Sequence, residues 1–92
     1  MAIIHKKCWL EWYDKFCSGE RTFELRLADF DLKSEDILIF EEYNPESGEY
    51  TGRKAEFKCK KVEHSAQNPL QFYDVEDVKK NGFWIIEIEK NI

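Results

Sequence analysis

The sequence predicts an α+β fold that is mainly β: a partly closed β-barrel of about five to six mostly antiparallel strands, with one N-terminal helix and a short second helix. Two observations predict it. Short segments of alternating polar and apolar residues, separated by turn residues, occupy most of the chain. One segment near the N terminus instead repeats apolar residues at helical spacing. Because a small sheet protects its edges by curling, we expect a barrel. The same spacing also allows an open α+β sandwich.

The first helix is predicted at residues 8–17, because its apolar residues recur at helical spacing. We expect these residues to form a buried stripe, which includes Trp9, Trp12, Tyr13 and Phe16. A helix this short persists only if it buries its apolar side. Gly19 adopts positive φ at little steric cost, so we expect it to end the helix.

Strands are predicted wherever residues alternate between polar and apolar. These segments are residues 3–6, 22–27, 36–43, 54–63 and 83–89. The third carries apolar residues on both faces, which is typical of a strand in the middle of a sheet. Residues 44–52 contain Asn-Pro, Ser-Gly and Thr-Gly pairs and predict a hairpin loop. The short second helix is predicted at residues 75–80.

The bulk composition limits the architecture and the location of the protein. With 92 residues, of which 42% are hydrophobic, the chain predicts one domain over residues 1–92. No apolar run is long enough to span a bilayer, and residues 1–7 lack the apolar core of a secretion signal. We therefore expect a cytoplasmic protein without a membrane partner. The oligomeric state is left open.

The three cysteines predict no special chemistry. Cys8, Cys17 and Cys59 are odd in number and widely spaced, so they form neither a disulfide framework nor a zinc-ligand pattern. We interpret them as reduced thiols in or near the core. No phosphate-binding glycine loop or metal-ligand spacing occurs, and we expect neither a cofactor nor a metal.

Residues 18–26 read Ser-Gly-Glu-Arg-Thr-Phe-Glu-Leu-Arg and form the most informative segment. Side chains alternate across a strand, so Phe23 and Leu25 point one way. The opposite face carries the polar residues of the segment, with Arg21 at the bend before it: Thr22, Glu24 and Arg26. We expect this polar face to be a working surface. The alternative is an exposed strand whose charges are merely solvated.

The pattern Gly19-x-Arg21-x-x-Glu24-x-Arg26 resembles the Gly-x-Lys-x-x-Glu-x-Arg signature of ASCH domains, relatives of the RNA-binding PUA fold. Residues 36–53 resemble the strand, turn and strand of an uncharacterised small bacterial, archaeal and phage subfamily, which also carries a histidine near its start, similar to His5. The resemblance implies a PUA-like barrel.

Three departures from the ASCH pattern bear on function. Arg21 stands where a lysine is usual. Residues 27–30 read Leu-Ala-Asp-Phe where the subfamily has Lys-Asn-Asp-Arg, which removes two cations beside the site. Glu35 replaces a glycine that normally precedes Asp36.

The resemblance implies a module that binds RNA or a nucleotide through residues 19–26 and the cleft between the first helix and the barrel. The guanidiniums would bind phosphate or stack on a base, and Glu24 would accept a hydrogen bond from an exocyclic amine. The candidate binding residues are Gly19, Arg21, Thr22, Glu24, Arg26, Lys6, Tyr50 and Arg53. Lys7 and Lys54 complete a basic surround, and Tyr50 supplies a stacking ring. For these lysines the alternative is ordinary solvent exposure.

The net charge of −5 argues against promiscuous binding to nucleic acids, which draws on a broadly basic surface. A local basic patch still suffices for one nucleotide or a short single strand, because salt screens charges over about 8 Å.

Two other functions are compatible with the sequence. The first is a small amidohydrolase acting on a modified nucleoside, because some ASCH proteins hydrolyse N4-acylated cytidine. In this chain Arg21 occupies the position of the family's catalytic lysine and Glu24 that of its threonine, so the family's chemistry does not carry over directly. If the protein is an enzyme, Arg21 and Glu24 are the catalytic candidates, and a buried Glu24 would act as a general base on water. The second is a protein-interaction or regulatory adaptor that docks a partner on the acidic hairpin of residues 41–50.

Overall fold

The computed structural model describes residues 1–65 and 81–91. This part of the chain forms five strands and one helix: β1 Ile3–Trp9, α1 Leu10–Ser18, β2 Phe23–Leu27, β3 Ile37–Asn44, β4 Glu49–Ser65 and β5 Phe83–Lys90. The helix predicted at residues 75–80 lies outside the described residues. Within them, no helix has the length and apolar character needed to cross a membrane.

The strands form one sheet in the order β1-β3-β4-β5-β2, curled into a half-barrel. β1 runs parallel to β3, and the other neighbours are antiparallel. β4 is 17 residues long; its first half pairs with β3 and its second half with β5, which lets the sheet curl around it. β1 and β2 lie at the two edges. The predicted fold class, a mainly β, partly closed barrel with an N-terminal helix, is confirmed.

Aromatic side chains fill the concave face of the half-barrel. α1 packs Phe16 against Phe40 of β3 and Phe57 of β4, with ring centroids 5.0 and 6.1 Å apart, and the two strand rings are 5.1 Å from each other. Such ring pairs each contribute about 0.5–1.5 kcal/mol beyond their burial. Cys8 and Cys59 are buried in the same core as free thiols, as predicted.

Two predictions about the N-terminal segment are wrong. β1 continues to Trp9, where it still pairs with Tyr43, so the helix begins later than predicted. Trp9 and Trp12 were expected in the core, yet they are 48% and 39% exposed. Only Tyr13 and Phe16 of α1 are buried, because a nine-residue helix at the mouth of the half-barrel contacts the core with a narrow stripe.

The hairpin between β3 and β4 is tighter than predicted, since β4 begins at Glu49 and the turn spans residues 45–48. The register of the pair shifts between Glu41 and Tyr43, where β4 bulges through Gly52 at φ 95°. On either side of Gly52, the Thr51 hydroxyl and the Arg53 guanidinium both donate hydrogen bonds to the carboxylate of Glu42.

Candidate functional site

The polar face of β2 points into the half-barrel. Glu24 is 8% exposed and Arg26 is half-buried, whereas Phe23 on the opposite face is 52% exposed. The predicted alternation is therefore confirmed, and the polar face is the one turned inward. The physical reason is the pairing with β5: Glu24 lies opposite Ile86 and Arg26 opposite Trp84, on the face that lines the core.

Arg26 bridges the open side of the half-barrel. Its Nη2 donates a hydrogen bond of 2.8 Å to the main-chain carbonyl of Lys7 on β1 and lies 3.3 Å from Oε2 of Glu24. Its Cζ lies 5.6 Å from the centroid of the Phe40 ring. Among the buried side-chain nitrogens and oxygens of residues 1–65 and 81–91, the Nε of Arg26 is the one that has no hydrogen-bond partner. A buried donor of this kind is costly unless another molecule satisfies it.

Charged side chains of the segment also cover the exposed edge of β2. The Ala28 N–H donates to the Gly82 carbonyl, and the Ile88 N–H donates to the Thr22 carbonyl. The main-chain hydrogen bonds to β5 are therefore made by the even-numbered residues of this segment. The odd-numbered residues therefore direct their main-chain groups outward. Nε of Arg21 donates to the Phe23 carbonyl at 3.2 Å, and Oε1 of Glu24 accepts the Leu25 N–H at 3.0 Å. These contacts block pairing of another strand at this edge.

The facing strand β1 contributes a second cation. Lys6 holds its Nζ 3.7 Å from the centroid of the Phe30 ring. Burial lowers the pKa of Lys6; Asp29 opposes this shift and the charge of Arg26 adds to it. Cys8, two residues further along the same face, is buried, and burial with the added effect of Glu24 raises the pKa of its thiol to about 12. Lys6 and Arg26 thus form a cationic pair beside a buried carboxylate. We refer to Lys6, Glu24 and Arg26 as the inner charged group.

A cleft of about 440 Å³ lies next to the inner charged group. Asp29, Phe30 and Trp84, which are neighbours of that group, also line the cleft. Its other lining residues are Ala28, Asp31, His64 and Asn81. Trp84 is fixed by a hydrogen bond from its Nε1 to the Phe30 carbonyl at 2.8 Å, and the His64 ring meets it edge-on at 5.3 Å. The volume is within the range of small-molecule sites.

A second cleft of about 420 Å³ lies at the C-terminal end of α1 and is lined by Gly19, Arg21 and Thr22. Gly19 ends the helix with φ 82°, as predicted, and its N–H donates to the Phe16 carbonyl. The guanidinium of Arg21 lies over the Trp12 ring at 4.7 Å. The structure thus separates these three residues from the inner charged group.

Two other predicted residues lie elsewhere. Tyr50 is 56% exposed on the convex face of the sheet, in ring contact with Tyr43 at 5.2 Å. Arg53 is bound by carboxylates: its Nε donates to Oε1 of Glu42 at 2.8 Å, its Nη2 contacts Oε2 of Glu42, and the same Nη2 lies 3.1 Å from Oδ1 of Asp14. The predicted set is therefore distributed over four places.

Glu42 is a buried carboxylate whose negative charge is balanced by the guanidinium of Arg53. It also accepts a hydrogen bond of 2.6 Å from the Thr51 hydroxyl. The hydrogen bonds from Arg53, then from Thr51, hold the pKa of Glu42 below its ordinary value of 4.5 against the opposing effect of burial. This ion pair, buried at Glu42 and exposed at Arg53, joins β4 to β3 beside the bulge.

Sequence reasoning missed three neighbours of the inner charged group: Cys8, Phe30 and Trp84. Cys8 follows Lys6 by two residues, so a first strand extended to Trp9 would have placed it on the same face. Phe30 and Trp84 come close only through tertiary packing, and no local pattern signals them. Among the residues that the structure describes, no cluster of His, Cys, Asp or Glu has the geometry to hold a metal ion.

The fold and the site define a small mainly β domain with a half-buried charged group at the open side of a half-barrel. A family model described as a domain of unknown function, DUF3850, matches residues 4–72, and the chain belongs to this family. The fold is similar to the crystal structure of hypothetical protein PH0355, with a TM-score of 0.73 and 24% sequence identity over 99% of this chain and 100% of that one. No curated protein matches the chain.

Proposed function

We propose that this domain binds a nucleotide, free or within RNA, at the inner charged group. The observation that carries the proposal is the Nε of Arg26, a buried donor without a partner that lies beside a second cation. An anionic or carbonyl oxygen is the acceptor that such a donor requires. The resemblance to ASCH domains and their PUA-like relatives supports the same class of ligand.

The two ends of the site favour different parts of a nucleotide. Arg26 and Lys6 would meet the phosphate, because a guanidinium and an ammonium on facing strands concentrate positive charge. The adjoining cleft carries Asp29 and Asp31, which repel phosphate but accept hydrogen bonds from ribose hydroxyls or an exocyclic amine. The ring of Trp84 lines the same cleft and would contact the base.

Hydrolysis of a modified nucleoside is the second candidate, and the buried carboxylate of Glu24 is the observation that favours it. Glu24 would have to take a proton from water. Both oxygens are already engaged, Oε1 by the Leu25 N–H and Oε2 by the Arg26 guanidinium, so a water would have to displace one of these contacts. We therefore propose binding ahead of catalysis.

Calorimetric titration of cytidine, uridine and their 5′-monophosphates tests the proposal. We expect monophosphates to bind more tightly than nucleosides, and Arg26→Ala to weaken binding by about 10-fold or more, since hydrogen bonds to charged groups contribute about 1.5–3 kcal/mol. Lys61→Ala, which removes an exposed cation on β4, is the matched control and should bind as the wild type does. Equal affinity of Arg26→Ala and wild type would refute the assignment. Acetate release from acetylcytidine, abolished by Glu24→Gln, would favour the hydrolase.

A further inference from the structure

Three aromatic residues form a row across the convex face of the sheet. Trp9 of β1 is paired in register with Tyr43 of β3, and Tyr43 with Tyr50 of β4. Residues paired in this way lie on the same face, and the rings of Tyr43 and Tyr50 meet at 5.2 Å and 71°. Neighbouring strands are about 4.8 Å apart, so the row extends over about 10 Å. We refer to these residues as the aromatic row.

The aromatic row is accessible and lies on the opposite face from the inner charged group. Trp9 follows the buried Cys8 along β1, and successive side chains of a strand point to opposite faces. Trp9 and Tyr50 are both about half exposed, and Tyr43 between them is half-buried. Large rings exposed side by side are a feature of binding surfaces.

Positive charge accompanies the aromatic row. Nζ of Lys7 lies 4.1 Å from the centroid of the Tyr43 ring. Lys54 is paired in register with Glu41 on the same face, and Glu41 lies 3.3 Å from Nδ1 of His5. Glu41 and Glu56 lie on the same face as the rings, so Lys7 and Lys54 supply two individual cations beside the aromatic row without making the face positive as a whole.

We propose that the aromatic row is a stacking platform for a short single-stranded nucleic acid, separate from the inner charged group. Bases stack on adjacent aromatic side chains of a sheet, and three rings on neighbouring strands can hold two or three bases. Lys7 and Lys54 contact the phosphates between them. Stacking on bases does not distinguish ribose from deoxyribose. The ligand class is therefore an unpaired strand of either RNA or DNA.

Fluorescence anisotropy with labelled U8 RNA and T8 DNA tests this site at low salt. We expect Tyr50→Ala to weaken binding about 5- to 150-fold, the loss typical of one stacked base. Tyr50→Phe keeps the ring and should bind as the wild type does. Phe23→Ala, which removes an equally exposed ring from the convex face of β2, is the matched control and should leave affinity unchanged. A requirement for ribose would appear as tighter binding of U8 than of T8.

The same variants test the aromatic row and the inner charged group independently of each other. Tyr50→Ala should retain the affinity of wild type for uridine 5′-monophosphate, whereas Arg26→Ala should lose it and keep the affinity for T8. If neither octamer binds the wild type, or if Tyr50→Ala binds both as tightly as Tyr50→Phe, the aromatic row is not a stacking platform. An equal loss in Phe23→Ala would also overturn it.

Discussion

Nη2 of Arg26 and the main-chain oxygen of Lys7 are 2.8 Å apart across the gap between β2 and β1. These strands are the two edges of the sheet, and none of the strand pairs in the described residues joins them. One side chain therefore spans the opening of the half-barrel. The same side chain carries the buried donor that we assign to a ligand, so its structural and binding roles are coupled.

Removal of Arg26 should destabilise the fold. Arg26→Ala leaves the buried carboxylate of Glu24 without its cationic neighbour and the Lys7 carbonyl without its donor, and we expect a loss of about 1–3 kcal/mol in the free energy of unfolding. Urea denaturation followed by circular dichroism measures this. Arg21→Ala, which removes the other guanidinium of the segment, should cost less than about 1 kcal/mol. An equal loss in the two variants would show that the bridge across the gap contributes nothing.

Glu35 should be replaceable by glycine with a gain in stability. Among the described non-glycine residues it is the one with positive φ, at 79°, and it stands where the resembling subfamily has glycine. The left-handed conformation costs a residue with a Cβ about 1 kcal/mol or more. We expect Glu35→Gly to raise the free energy of unfolding by about 0.5–1 kcal/mol, part of the strain being offset by the added chain entropy of glycine.

Glu35→Ala serves as the control for that substitution. It removes the ion pair between Glu35 and Lys58, at 2.8 Å, but keeps the Cβ in the left-handed conformation. We expect it to be no more stable than the wild type in the same denaturation experiment. If Glu35→Gly were less stable than Glu35→Ala, backbone strain at this position would be the wrong explanation.

Acid should destabilise the protein partly through Glu42. Because Arg53 and Thr51 lower its pKa in the folded state, this carboxylate stabilises the fold above its ordinary value of 4.5, and the contribution is lost as the pH falls through the lower folded pKa. Unfolding free energies measured between about pH 6 and pH 3 should decline less steeply in Glu42→Gln than in the wild type. Glu46→Gln, in the exposed turn, should retain the wild-type slope, and an unchanged slope in Glu42→Gln would exclude this role.

The cysteines should differ in reactivity. Burial raises the pKa of Cys8 to about 12 and that of Cys59 to about 11, whereas Cys17 is half-buried. We expect brief alkylation of the native protein at about pH 8 to modify Cys17 first, since the thiolate is the reacting species. Mass spectrometry of the peptides measures this, with urea-unfolded protein as the control. Alkylation of Cys8 as fast as Cys17 would contradict the buried position of Cys8.

The sequence alone predicts the fold class and several local features. Gly19 at the end of α1, the central position of β3 and the alternation of Phe23 against Glu24 and Arg26 all follow from local rules of backbone conformation and strand geometry. These rules say which side chains share a face. They do not say which face is turned inward, and the charged face of β2 is the inner one.

The composition of the site depends on features that local patterns do not carry. Tyr50 is separated from Arg26 because β4 presents it on the convex face, and Arg53 meets Glu42 because the two residues lie opposite each other on the concave face of the paired strands β4 and β3. Phe30 and Trp84 come close to the inner charged group only when the strands take the order β1-β3-β4-β5-β2. Such proximity follows from topology and not from spacing along the chain.

The most direct test of the proposed site is an NMR titration that observes the Nε–H groups of the three arginines, Arg21, Arg26 and Arg53. The resonance of Arg26 is assigned by its absence in Arg26→Lys. With added uridine or cytidine 5′-monophosphate, we predict a saturable shift of the Arg26 resonance and little change in the other two, since the first is the buried donor without a partner. An unchanged Arg26 resonance at saturating nucleotide would contradict the assignment.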